Sequence, residues 1–466
     1  MMFDGRNDDH YDHHGQPGSD SVGNNFPPEL KDLTASLLNS IKKIREEESV
    51  SQLNLNDTDF DSRFHYDGAP DATLTVNGKD YICFIGDGYL GLQCNPEILS
   101  ATCEAILLYG VSSATSRRHF IPISVLGVEK RAAQIFETNK AFYSASNQES
   151  LELLLRANCG TFERVFIDEG CADFLADQLE KFPLELSPSI QIRHRDPDDL
   201  RAQIKKHLQP MERPLFITHG VFPFFGTIAP ISDYFDVLAE FDDASIMIDD
   251  SHGFGVLGEK GRGILEHLHY QVKKINQTKE DFLSPMSFSW DSFSEMQGNE
   301  VSDIPQIDLP IRTYWSATLS KAIGGIGGLI PGSDLMVERL TEIARTRCNG
   351  ILSTPGAAAT IKGLELATRN HSLQDRLRSN TVFFKNELKK LGLPVEENMI
   401  PIVGLRLGSH TNMRRIQKTL ADNQILISYI PRKKEIGSEG ILRITITANH
   451  TKEMLRILID QLAQVL

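Results

Sequence analysis

Four short apolar runs constrain this chain most: RVFID (164–168), PLFITHG (214–220), ASIMIDD (244–250) and RTYWSA (312–317). Helical patterns such as CADFLADQLEKF and ISDYFDVLAEFD separate most of them. Strands this short and this apolar are buried on both faces. Their alternation with helices predicts an α/β fold around a mostly parallel sheet covered on either side. Ligands of such sheets bind beyond the carboxyl ends of the strands. The polar residues that close the apolar runs are therefore the first candidates for chemistry.

Two closing segments stand out. In TYWSATLSKAIGGIGG (313–328) a strand ends in Thr318, Ser320 and Lys321, followed by glycines at 324, 325, 327 and 328. Hydroxyls and backbone N–H groups at a glycine-rich turn suit a phosphate. A lysine there is placed to form an imine, which requires a neutral amine and so favours partial burial beside other cations. The same pattern also describes a solvated lysine in a turn. In SIMIDDSHGFGVLGEKGRG (245–263) an apolar strand runs into Asp249, Asp250 and His252. An acid at a strand end can keep a pyridine nitrogen protonated and make its ring an electron sink. A histidine three residues on can reach the neighbouring ring substituent. A helix N-cap at Asp250 or Ser251 is the competing reading.

Together these segments resemble the α-oxoamine synthase family of fold-type I pyridoxal 5′-phosphate (PLP) enzymes, from about residue 76 to the C-terminus. The carrying stretches are YLGL (89–92), GVFPFFGTIAPI (220–231), IDDSHGFGVLGEKGRG, TLSKAIGGIGG, LSTPG (352–356) and LRITITANHT (442–451). The resemblance implies that Lys321 binds PLP covalently and moves the α-proton. It implies that Asp249 faces the pyridine nitrogen, that His252 bonds the ring oxygen, and that Thr318 and Ser320 lie beside the phosphate. It places Ser353 and Thr354 near the phosphate of a neighbouring subunit's cofactor, so a homodimer with shared sites is expected. Arg443 would hold the substrate carboxylate, for which a guanidinium fork is well shaped. A surface arginine on an edge strand is the alternative there. The implied reaction is a decarboxylative condensation of a small amino acid with an acyl-CoA thioester. An aminotransferase on the same fold and a non-catalytic partner subunit are the alternatives.

The chain departs from that pattern at several places. Cys171, in DEGCADF (168–174), falls nearest the family's ring-stacking histidine, and Pro223 replaces a serine near the ring oxygen. Ala145, Ser146 and Asn147 stand at the family's Ser-Gly-aromatic turn, where Ser146 and Asn147 can still offer donors to a phosphate. Asp87 in GDGYLG (86–91) replaces an asparagine, and VSSATSRR (111–118) replaces a glycine-rich stretch. Both line the substrate and acyl-CoA entrance in relatives.

The wider sequence divides into an acidic tail (1–25) expected to be disordered, an N-terminal helix and arm (26–75), a large cofactor-binding domain (76–345) with a polar insertion at 270–308, and a smaller C-terminal α+β domain (346–466). PPELKDLTASLLNSIKKIREEE (27–48) reads as an amphipathic helix, with Leu30, Leu33, Leu37, Ile41 and Ile44 on one stripe. A net charge of −15 argues against nucleic acid as a partner. Six cysteines without a CxxC pair read as reduced thiols of a cytoplasmic protein. No apolar run approaches the length of a membrane span. No metal is expected, since the tail cluster His10, His13 and His14 reads as solvated.

Overall fold

The computed structural model describes residue 66 and residues 70–466, save 77, 113–119, 172–188, 269–310, 348–351, 370 and 433–435. Expectations for the tail, the 27–48 helix, CADFLADQLEKF, the 270–308 insertion, most of VSSATSRR and Cys348 fall outside the described residues.

The first strands form a small sheet. β1 (Thr73–Val76) and β2 (Lys79–Cys83) pair antiparallel. Gly78, at φ +73°, lies in the turn between them, a backbone state that glycine enters without steric cost.

The main sheet has seven strands. In chain order they are β3 (Lys140–Ser144), β4 (Arg164–Asp168), β5 (Ile190–Ile192), β6 (Pro214–His219), β7 (Ser245–Asp249), β8 (Arg312–Thr318) and β9 (Gly328–Gly332). Their spatial order is β3-β9-β8-β7-β6-β4-β5. The five strands from β5 to β8 run parallel, whereas β9 is antiparallel to both β8 and β3. The four apolar runs are thus β4, β6, β7 and β8. Every residue of β6 and of β7 is buried, as continuous apolarity demands. Helices Ile123–Phe136, Asn147–Ala157, Pro197–His207 and Ile231–Leu238 fall between successive strands. Two apolar clusters line the sheet. One is built around Phe166, Phe216, Ile246 and Trp315, the other around Val165, Leu215, Met247 and Tyr314. These residues alternate along their strands, so each strand supplies both clusters.

A three-stranded antiparallel sheet follows, formed by β10 (Ile402–Leu405), β12 (Ser428–Ile430) and β13 (Ile441–Thr445), with β13 in the middle. The two-residue β11 (Ile425–Leu426) joins β2 instead. Helices Ser372–Lys390, His410–Asp422 and Lys452–Val465 pack on this region through Phe384, Ile416 and Leu458. Among the described residues, no helix is long and apolar enough to cross a membrane.

The segment after β7 does not start a helix, so neither Asp250 nor Ser251 is an N-cap. Residues 251–256 form turns instead. The Asp250 side chain reaches sideways, where Oδ2 accepts from the Ile264 N–H at 2.6 Å and from Trp315 Nε1–H at 3.2 Å. Burial pushes this acid up to about 8, with the neighbouring Asp249 charge adding to the effect against those two donors. In the unfolded chain an aspartate ionises near pH 4. Between about 4 and about 8 the folded state therefore carries an extra proton, and stability must fall as pH rises through that window. Asp250→Asn removes this dependence. Its denaturation midpoint should gain on the wild type as pH rises from about 5 to about 8. A gap that stays constant with pH would refute the assignment.

Candidate active site

β6 and β7 end side by side, at His219 and Asp249, and both are in register with Ser316 of β8 near the carboxyl edge. Asp249 is 2 % exposed, so its charge depends on local donors. Ser251 supplies its N–H at 3.1 Å and its hydroxyl at 2.6 Å, and Asn147 Nδ2 donates at 3.1 Å, all to Oδ1. His219 Nδ1 stands 3.5 Å from Oδ2. Burial alone would raise this carboxyl, but His219, Ser251 and Lys321 outweigh it and hold it well below the usual carboxylate range.

Lys321 follows β8 at the same edge. Its Nζ lies 2.6 Å from His252 Nε2 and 3.9 Å from Asp87 Oδ2. Burial lowers the pKa of this amine, and Arg443 adds to the effect against the carboxylates of Asp87 and Asp249. His252 is held well below its ordinary value by burial and by the Lys321 charge, so its ring is neutral. Its other nitrogen, Nδ1, is 2.6 Å from the hydroxyl of Tyr89, which is fully buried.

Arg443 lies on the middle strand β13 and is 8 % exposed, which excludes the surface edge-strand alternative. Its Nε donates to the Pro223 carbonyl at 2.7 Å, one terminal nitrogen to Thr445 Oγ1 at 3.0 Å and the other to Asp87 Oδ1 at 2.6 Å. Burial opposes the Asp87 charge, yet Arg443 and Lys321 keep its carboxyl far below the ordinary value. Asp87, expected at an entrance, thus joins Arg443 to Lys321.

A second group of residues surrounds the glycine turn. Ser146 caps helix Asn147–Ala157 by accepting from the Glu149 N–H, and Glu149 returns the contact to the Ala145 N–H at 2.8 Å. These two bonds commit part of the turn to the helix itself. The Asn147 amide bridges Asp249 and Ser251, while its buried Oδ1 has no hydrogen-bond partner. Thr318 Oγ1 and Ser320 Oγ are 2.9 Å apart, and the Thr318 N–H donates to Ser251 Oγ at 3.0 Å.

The remaining expected residues have other contacts within this chain. Cys171 is buried in the apolar cluster, with Sγ 3.7 Å from the Ile217 carbonyl. Ser353 accepts from the Gly356 N–H, and Thr354 Oγ1 donates to the Gly110 carbonyl at 2.9 Å. Their hydrogen bonds do not connect them to Lys321. Sequence reasoning missed His219 and Tyr89. His219 carried a signal, since it closes an apolar run just as Asp249 does. Tyr89 stood out only as the first residue of the YLGL stretch, because its partner is 163 positions away.

The donor set has a definite chemistry. A lysine amine with a lowered pKa condenses readily with an aldehyde. A buried, charged carboxylate stabilises a protonated ring nitrogen. A helix N-terminus beside two hydroxyls and two glycines receives an anion. These are the functional groups of PLP, and the orphaned Asn147 oxygen shows polar capacity that the chain does not satisfy by itself.

Comparison with known proteins agrees. The family model for aminotransferase class I and II matches residues 172–462. The chain is 28% identical to 8-amino-7-oxononanoate synthase of Alkaliphilus metalliredigens (strain QYMF) over 401 residues, covering 84% of this chain and 88% of the relative. It is 23% identical to serine palmitoyltransferase of Sphingobacterium spiritivorum over 397 residues, covering 85% and 89%. Its fold is similar to that of a serine palmitoyltransferase from S. paucimobilis with a bound PLP–myriocin aldimine, at TM-score 0.72 and 18% identity, covering 92% and 96%.

A β-carbon at Gly328 would come within 2.5–2.7 Å of Ser150 Oγ, the Ser146 carbonyl oxygen and Asn147 Cα. Two of these are backbone atoms, so Gly328→Ala must shift the helix N-terminus. Equilibrium dialysis should show PLP binding weakened about tenfold, the scale of one or two net hydrogen bonds. Undiminished binding would separate this turn from the phosphate.

Proposed function

The chain belongs to the aminotransferase class I and II family, and on that premise we propose that it is a PLP-dependent acyltransferase of α-oxoamine synthase type. It joins a small amino acid to an acyl-CoA thioester, releasing CoA and carbon dioxide and giving an α-amino ketone. The curated relatives support this reading, since they are named as 8-amino-7-oxononanoate synthases and a serine palmitoyltransferase. The observation that carries it is the Lys321 amine, set 2.6 Å from a neutral histidine at the strand edge that ends in Asp249.

PLP supplies an electrophilic aldehyde and a ring that accepts electron density from the substrate α-carbon. Lys321 Nζ would be the amine that holds it, and the same nitrogen, when free, would take and return the α-proton of the bound amino acid. Asp249, with Ser251, Asn147 and His219 behind it, would keep a proton on the ring nitrogen. His252, steadied by Tyr89 through Nδ1, would present Nε2 to the ring oxygen. Thr318, Ser320 and the 146–147 turn would receive the phosphate. Arg443 orients the substrate carboxylate, so that the reacting groups meet in one geometry.

We read the enzyme as a homodimer. Leu107, Leu108, Val111, Phe120 and Ile123 are all more than 60 % exposed and cluster within 17 positions of the chain. Exposed large apolar side chains at this density mark an interaction surface. The bond from Thr354 to Gly110 ties the LSTPG segment to it. The five described cysteines are all free, which supports a reducing, cytoplasmic setting.

Three measurements test this reading. The purified protein should absorb in the visible from attached PLP, and Lys321→Ala should abolish that band. With glycine, L-alanine or L-serine and an acyl-CoA panel, the enzyme should release free CoA. Keto-acid formation without CoA release would overturn the condensation in favour of transamination. Light scattering should give twice the chain mass, and a Leu107→Glu/Leu108→Glu variant should fall to the monomer mass.

A further inference from the structure

We propose that Asp87 is a built-in carboxylate standing where the substrate's own carboxylate binds, and that it sets how strongly the enzyme selects for a free carboxylate. The proposal rests on the reading of Arg443 as the carboxylate-orienting residue.

The geometry is that of an occupied site. All three Arg443 nitrogens are engaged, by Pro223, by Thr445 and, at 2.6 Å, by Asp87 Oδ1. With its side chain 9% exposed, the guanidinium has little water to turn to. The second Asp87 oxygen lies 3.9 Å from Lys321 Nζ. In an α-amino acid the nitrogen and the carboxylate oxygens are separated by about 3 Å, as the N–Cα and Cα–C bonds dictate. A substrate whose nitrogen takes the place of Lys321 Nζ would therefore carry its carboxylate to the side of Arg443 that the Asp87 carboxylate now fills.

Charge makes this a competition. Arg443 and Lys321 keep Asp87 ionised, so its negative charge is present throughout the working pH range. An incoming carboxylate must either displace Asp87 or share one guanidinium with it, and like charges at that separation repel. An asparagine, the usual residue of the resembled family at this position, offers Arg443 a carbonyl oxygen and no charge. The aspartate therefore offsets much of the attraction that Arg443 holds for a substrate carboxylate. Amino substrates that lack a carboxylate, such as amino-acid amides, lose little by comparison.

The test is equilibrium binding to the PLP-loaded enzyme, read by calorimetry and by the change in cofactor absorbance, with L-serine and L-serinamide as probes. The wild type should bind the two within a few fold of each other. Asp87→Asn should bind L-serine at least about tenfold more tightly, the effect expected when one charged competitor leaves an arginine, while L-serinamide stays unchanged. Asp87→Ala should shift in the same direction, and thermal melting checks that both variants fold. Unchanged or weaker L-serine binding in both variants overturns the proposal, and so does equal tightening of both ligands or no binding to any form. The catalytic reading fails separately, when neither wild type nor variant releases CoA whatever the binding shows.

Discussion

A charge buried at the end of a parallel sheet is the constraint on which the rest of this structure depends. Asp249 must stay ionised where water cannot reach it, and an isolated buried carboxylate does not do so. Its donors come from separate places in the chain: Asn147 at a helix start, His219 at the end of the next strand, and Ser251 in the following turn. The strand register that aligns His219, Asp249 and Ser316 is therefore an electrostatic requirement as well as a packing solution. The adjacent acid has the opposite fate. Successive residues leave a strand on opposite faces, so Asp250 points away from these donors toward Trp315 and Ile264 and retains its proton. Two neighbouring aspartates thus occupy different protonation states through geometry alone.

Arg443 fastens the second half of the site. It joins a central strand of the C-terminal sheet to Pro223 in the loop after β6 and to Asp87 in the loop after β2. The same loop is held again by Asn398, whose amide donates to the Gly226 carbonyl at 2.9 Å. Segments some 350 positions apart are thereby fixed around Lys321. This fixing is what a reaction limited by orientation requires.

The parallel strands were legible because β4, β6, β7 and β8 are uninterrupted apolar runs, and β4 begins and ends where the pattern places it. β9 was not legible. GLIPG contains Pro331 and Gly332, which read as a break, yet the strand pairs antiparallel with β3 and β8. The β1–β2 hairpin carried a signal in Asn77–Gly78, since that dipeptide favours a tight turn. Lys321, Asp249 and His252 were legible because each closes or follows an apolar run within a dense local motif. Asp87 and Tyr89 were seen only as parts of a motif, because their partners lie 356 and 163 positions away. No local pattern encodes contacts of that kind.

The surroundings of Asp250 bear on how this sequence can drift. A β-carbon added at Gly220, Gly253 or Gly263 would in each case collide first with the Asp250 carboxylate. Three glycines spread over 44 positions therefore answer to one side chain. They form a single epistatic unit, in which a larger residue at any of the three becomes tolerable only after Asp250 itself has shortened or turned away. Such a change would release the Ile264 N–H and the Trp315 indole at the same moment.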